Sequence, residues 1–295
     1  MAAETLSTRP GPPPSARGRA QPARRPPRLK TVIVAAVAYV VAVIFLLPYL
    51  EMIITALRPQ KELLERNYLP HHFAWSNFAS LWGGGQVAGS VLFSLEIAGG
   101  ATIVVLLVAI PAAYYTARRK FRGRGPFLLM VLITQMLQPT ALIVGIYREF
   151  LSLHLTNTLW SLILVDAGFN MAFAVWILNA YFGSIPVELE EAAMTDGSGR
   201  LGAMFRVTFP LAMPGVVTAL IFTFIAAWNE FIVALTLITG PTVPLTVFLF
   251  QKIGAYTVDW QHLFGASVVA TIPVLILFAL IERRVVGGLT AGAVK

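Results

Sequence analysis

Six apolar runs dominate the chain, at about residues 31–57, 90–117, 127–150, 159–183, 214–238 and 264–282. Each is long enough to cross the roughly 30 Å hydrocarbon layer of a bilayer as a helix. Lipid offers no hydrogen bonds to the backbone, so spanning segments are helices or closed barrels. These runs are continuous blocks rather than alternating apolar and polar residues, which selects helices. The chain is therefore expected to be an all-α membrane protein with six transmembrane helices. Composition agrees, with 57% hydrophobic and 12% charged residues against the roughly 25% charged residues of a soluble domain. Pro48, Pro111, Pro139 and Pro273 fall inside or near span ends, where membrane helices tolerate proline if neighbouring groups re-satisfy the backbone.

Basic residues orient the spans. The segment 118–125 reads RRKFRGRG and carries no acid, and the N-terminus holds Arg9, Arg17, Arg19, Arg24, Arg25, Arg28 and Lys30 against Glu4 alone. With Arg283, Arg284 and Lys295 at the other end, both termini are expected in the cytoplasm. The loops 58–89, 151–158 and 239–263 are poor in basic residues and are expected outside. Alternation then places 184–213 inside. Trp75, Phe78 and Trp82 in the first outer loop suit an interfacial aromatic belt. The net charge of +8 gathers at the N-terminus and does not point to nucleic acid. Residues 1–30, basic and proline-rich, are expected to form a disordered cytoplasmic tail. A cleaved signal is the rival reading of the first apolar run, but that run continues past Leu47 without a small-residue cleavage site. A retained first helix at 31–57 is favoured. The chain has no cysteine, and its four histidines, His71, His72, His154 and His262, form no HExxH-type pair. Thiolate chemistry is excluded, no metal site is expected and no catalytic set is visible.

Between the fourth and fifth runs lies a polar stretch, EAAMTDGSGRLGAMFRVTFP at 191–210. Pro186 suits a first helical position, and Glu188, Glu190 and Glu191 oppose the positive end of the helix dipole. Ala192 and Ala193 offer a small, flat face, Gly197 permits a sharp stop, and Arg200–Val207 forms a second short helix. An ordinary capped interfacial helix explains the acids and prolines, but not the spacing from Glu191-Ala192-Ala193 to Asp196-Gly197 and on to Pro210. That spacing resembles the EAA loop of ABC importer permeases. Leucine at 197 is expected to block the turn by its bulk.

The resemblance extends to LTNTLWSLIL at 155–164, IPVELEEAAMTDGS at 185–198, FTFIAAWNEFIVAL at 222–235 and GLTAGAVK at 288–295. The chain is similar to the permease subunits of carbohydrate ABC importers. Phe209 stands where the family pattern has leucine, and Val207 where it has isoleucine; both keep an apolar contact. The resemblance implies a type I ABC importer transmembrane domain, with a permease core at 90–282, a coupling loop at 184–213 and a cytoplasmic tail at 283–295. It implies a second permease subunit in a heterodimer, a pair of ABC ATPase subunits, an extracytoplasmic solute-binding protein, a sugar substrate and a bacterial plasma (inner) membrane location. The coupling role falls on Glu191, Ala192, Ala193, Asp196, Gly197 and Pro210. None of the five lysines follows a glycine, so no phosphate-binding Gly-Lys-Ser/Thr loop is present. ATP and Mg are expected on the partner ATPase, with no cofactor on this chain, which is expected not to be an enzyme. An ion-gradient-driven secondary transporter is the alternative, supported by inverted repeats and broken helices where these occur; no internal repeat stands out.

Polar groups within the runs are costly in lipid and must face a cavity or a partner. Glu96, Gln135, Gln138, Asn170, Asn229 and Glu230 are candidates for a translocation path that hydrogen-bonds sugar hydroxyls. Asp166 belongs with them or lies near a wet outer end. Hydrogen bonding that merely holds helices together is the competing role for each. Trp228 and Phe231 are expected to pack in the core rather than stack on a sugar.

Overall fold

A computed structural model describes residues 29–64, 70–254 and 256–291. The basic tail at 1–28 and the final residues 292–295 lie outside the described residues, so the expectations for the tail and for the end of GLTAGAVK are not addressed by it. The described residues fall into two units, up to Leu47 and from Pro48 onward. The first is the opening part of helix α1, Leu29–Ala56. It is apolar and exposed on all sides, a surface suited to lipid.

In the second unit, α2 (Ser76–Gly83) precedes α3 (Gln86–Arg118), then α4 (Arg124–Thr134), α5 (Pro139–Ser152) and α6 (Leu159–Ser184). The short helices α7 (Glu188–Thr195), α8 (Arg200–Ala203) and α9 (Phe209–Leu211) form the polar loop. They are followed by α10 (Met213–Trp228), α11 (Ile232–Leu237), α12 (Leu245–Gln251) and α13 (Trp260–Ala291). No strand is present among the described residues. Four helices are long and apolar enough to cross a membrane, and two bent pairs raise the number to six if each is one span. The chain is a multi-pass membrane protein.

The core is the packing of α3 against α6 and α10. The buried stripe of α3 is Ile97, Ala98, Ala101, Thr102, Val105, Ala109 and Ala113, residues three or four apart that share one helix face. Small side chains there let helix axes approach closely, the usual basis of packing where lipid removes the hydrophobic drive. Gly215 shows the limit of that approach, because a Cβ on it would overlap the Tyr181 ring of α6. Asn179 Nδ2 of α6 donates to Thr116 Oγ1 of α3 at 2.7 Å, a polar bond across an otherwise apolar seam. Trp228 is buried at the end of α10, donating to the Ala270 carbonyl; Phe231 packs against Phe250 with ring centroids 5.2 Å apart.

Three segments differ from the spans expected from the sequence. The run 127–150 breaks between α4 and α5, which meet at 93°. Pro139 supplies no N–H and holds the preceding residue out of the helical region, and Gln138 takes φ −74, ψ 138. The run 214–238 breaks at Asn229–Phe231. The last helix continues beyond residue 282 to Ala291. At the end of the molecule where α6 begins, Asn157 sits at φ 60 and accepts from Thr239 N at 2.6 Å. Thr158 then caps α6 by accepting from Ser161 N, so the Asn-Thr of LTNT both ties the loop and starts the helix.

Candidate functional site

Helix α7 is held by a buried polar cluster. Arg118, the last residue of α3, places its Nε 2.7 Å from Glu190 Oε1, and both side chains are 8% exposed. Arg118 Nη1 donates to the Ile185 carbonyl just past α6 at 2.8 Å. Tyr114, one turn earlier on α3, donates to Glu190 Oε2 at 3.0 Å. Thr208 Oγ1 donates to Glu190 Oε1. Thr208 ends a π turn, Met204–Thr208, that separates α8 from α9. A carboxylate with three side-chain donors, one of them cationic, is well compensated for burial. Glu190 thereby ties α7 to α3 and to the approach to α10, and Arg118 extends the cluster to the end of α6.

The far end of α7 closes by backbone geometry. Gly197 takes φ +90, Gly197 N donates to Met194 O at 3.1 Å, and Ser198 N donates to Ala193 O at 3.0 Å. These are the two bonds of a Schellman cap with glycine at its left-handed position. The four-residue step from Ala193 to Gly197 is therefore the reach of that cap. Nothing lies within 4 Å of a Cβ built on Gly197. The expected bulk effect of leucine there is thus corrected: the left-handed backbone, not space, demands glycine. Pro186 is corrected as well, since it precedes the N-cap Val187 instead of opening the helix.

The residues assigned to coupling divide by exposure. Glu191, Ala192, Asp196, Gly197 and Pro210 are exposed or partly so, and Ala193 is half-buried. Glu191 lines a cleft of about 310 Å³ with Arg118, Arg119, Met194, Arg200 and Leu201. Sequence reasoning gave Glu190 only a dipole role and missed Tyr114, Arg118 and Thr208 as its partners. The available signal was a tyrosine and an arginine four residues apart at the basic end of the second run, opposite a doubled glutamate.

The polar groups of the spans converge in part. Gln135, Gln138, Asn170 and Glu230 line one cavity of about 230 Å³, joined by Asp166. The two helix breaks bring them there: the α4–α5 bend delivers both glutamines, and the break after α10 delivers Glu230. The Glu230 carboxylate accepts from Val233 N at 2.8 Å and Ala234 N at 2.9 Å, capping α11. Asn229 does not join the cavity; it is exposed, donates to the Ile225 carbonyl and lines another cavity with Thr246 and Thr271. Glu96, exposed on α3, lines neither. Helix α6 links the two sites, with Asp166 near its start and Ile185 just past its end. The separation is about 28 Å at 1.5 Å per residue.

Comparison with known proteins is in keeping with this arrangement. Residues 106–286 match the model of the family described as the binding-protein-dependent transport system inner membrane component. The chain is 33% identical over 261 residues to the probable ABC transporter permease protein YurM of Bacillus subtilis, covering 87% of this chain and 85% of the relative. It is 32% identical over 255 residues to the sulfoquinovosyl glycerol transport system permease protein SmoH of Agrobacterium fabrum, covering 85% of this chain and 89% of the relative. A chain of a bacterial ABC transporter involved in the import of the acidic polysaccharide alginate shares the fold. Its TM-score is 0.73 at 22% identity, covering 87% of this chain and 96% of that one. This fold is the type I ABC importer permease fold. The chain belongs to the family of binding-protein-dependent transport system inner membrane components.

Proposed function

We propose that this chain is one half of the translocation pathway of an ATP-driven sugar importer in a bacterial plasma membrane, working by alternating access. The second half is a different permease subunit, and a pair of ABC ATPases holds the ATP and Mg. A solute-binding protein delivers the sugar from outside. Residues 90–282 form the permease core, and both termini lie in the cytoplasm on the same side as α7. The sugar assignment is supported by the GLTAGAVK tail and by the relative named for sulfoquinovosyl glycerol transport.

The observation that carries the coupling assignment is the division of labour between adjacent glutamates. Glu190 anchors α7 inside, while Glu191, Ala192 and Asp196 remain exposed on the anchored helix. A firmly held helix with a small-residue face transmits a push to α3, α6 and α10 as rigid elements. Gln135, Gln138, Asn170 and Glu230 then serve as the polar station on the path, with Asn229 on a neighbouring surface. Glu96 is left to contact the second subunit, where its charge finds a partner or water.

The test is recovery of the ATPase. In the complete importer, Ala192→Trp is expected to lower the ATPase co-purified with the permease by about tenfold or more, as for a central interface position. The permease itself should still insert, because Ala192 is exposed. Unchanged recovery with unchanged uptake would remove α7 from the docking surface.

A further inference from the structure

The cavity between the two helix breaks has a one-sided chemistry. Asp166 is 5% exposed, and no hydrogen-bond donor among the described residues reaches its carboxyl; only its backbone carbonyl is engaged, by Asn170 Nδ2 at 2.8 Å. Its side chain lines the cavity, and so does Glu230. The same two carboxyls also border a smaller void of about 10 Å³ beside Ser94 and Trp228, at the lower limit for one water. Gln135 Nε2 is committed to the Phe169 carbonyl at 2.9 Å, as Asn170 Nδ2 is to Asp166. Each of these amides thus spends one N–H inside the protein, and the cavity's only charged side chains are the two carboxyls. No arginine, lysine or histidine lines this cavity. The surface facing a solute thus carries no positive charge, and a negative one whenever either carboxyl is ionised.

We propose that Asp166 and Glu230 make this cavity a charge filter, which admits neutral and cationic hydroxyl-bearing solutes and rejects anionic ones. The inference rests on the cavity being part of the translocation path. Sugar hydroxyls and ammonium groups bring donors that these oxygens accept. A carboxylate, sulfonate or phosphate brings only acceptors and finds no cation to replace its water. At about 230 Å³ the space is smaller than the roughly 300–1,000 Å³ of pockets that enclose a whole drug-sized ligand. It therefore suits one sugar ring at a time. The filter belongs to this chain's own side chains and not to the fold or the family, since the alginate importer of the same fold carries an acidic polysaccharide and the relative SmoH is named for a sulfonate-bearing sugar.

Because the chain has no cysteine, Gln138→Cys gives a single reporter in the cavity when the partner subunits are also cysteine-free. The complete, transport-active importer is treated with methanethiosulfonate reagents bearing an ammonium, a hydroxyl or a sulfonate group. Each rate is referred to that of a free thiol. The cationic reagent should react about tenfold or more faster than the anionic one, as expected for a site that focuses one sign of charge. Asp166→Asn with Glu230→Gln should remove that preference, and bound sugar should slow all three reagents. Asn170→Cys serves as the reporter if Gln138→Cys fails to assemble. Labelling and sugar protection without charge preference, or a preference that survives both neutral substitutions, would overturn the filter while leaving the path in place. No labelling by any reagent during turnover would overturn both.

Discussion

Replacing Glu190 with alanine is expected to abolish coupled transport and to lower the stability of the permease by about 3–5 kcal/mol, the cost of stranding one member of a buried ion pair. The geometry makes the loss larger than that of a surface bridge. Arg118 keeps only the Ile185 carbonyl, and Tyr114 and Thr208 lose their acceptor. Glu190→Gln should be milder, since an amide oxygen still accepts from one of these donors. Arg118→Met combined with Glu190→Leu should recover much of the stability, because an apolar pair of similar volume replaces a buried charge pair at little cost. Coupling should stay impaired in that double variant, since α7 has lost its bonds to α3 and to the π turn. Thermal unfolding of the purified importer, with ATPase and uptake rates measured on the same samples, checks each step. Equal effects of Glu190→Ala and Glu191→Ala on stability would contradict the placement of the two glutamates.

The second large effect is at Gly197. Any ordinary L-residue there is destabilised by the left-handed conformation, by about 1–2 kcal/mol, and weakens the cap that ends α7. Gly197→Ala should therefore do most of the damage that Gly197→Leu does, because no neighbour lies close to the Cβ in either case. Gly197→Asn should be the mildest substitution, as asparagine tolerates this region better than other residues. The measurable outcome is uncoupling: ATP hydrolysis persists while uptake per ATP falls. A leucine variant far worse than the alanine one would mean that bulk, not backbone conformation, decides the turn.

Much of the fold was legible because lipid imposes simple rules. Long apolar blocks had to be helices, and an all-α membrane protein followed. The breaks were not legible as such. Pro139 and the glutamines beside it were visible in the sequence, but a span with an internal proline also reads as a continuous helix with a kink. Only the packing of α4 against α6 shows that the chain turns there. The same limit applies to the polar residues. Six of them looked alike as costly groups in apolar runs, and three-dimensional placement alone separates Gln135, Gln138, Asn170 and Glu230 from Asn229 and Glu96. Glu190 and Glu191 are chemically identical neighbours on one short helix. Successive residues are about 100° apart around a helix, so one meets Arg118 while the other faces out, and nothing in the pair itself tells which.

The contacts around Glu190 form a continuous chain of named atoms. Under the proposed coupling role, a displacement of α7 would reach Glu190, pass to Arg118 at the end of α3 and to the Ile185 carbonyl at the end of α6, and be carried by α6 to Asp166 at the polar cavity. Rigid helices make such transmission mechanical, with no need for a diffuse network.

The most direct measurement is solute uptake into proteoliposomes that hold the complete importer, with the binding protein on one face and ATP on the face bearing α7. Uptake that requires both, and that is lost in Glu190→Ala while the ATPase subunits still hydrolyse ATP, is the predicted result. Uptake by this chain without any ATPase, driven by a proton or sodium gradient and indifferent to Glu190→Ala, would contradict the account.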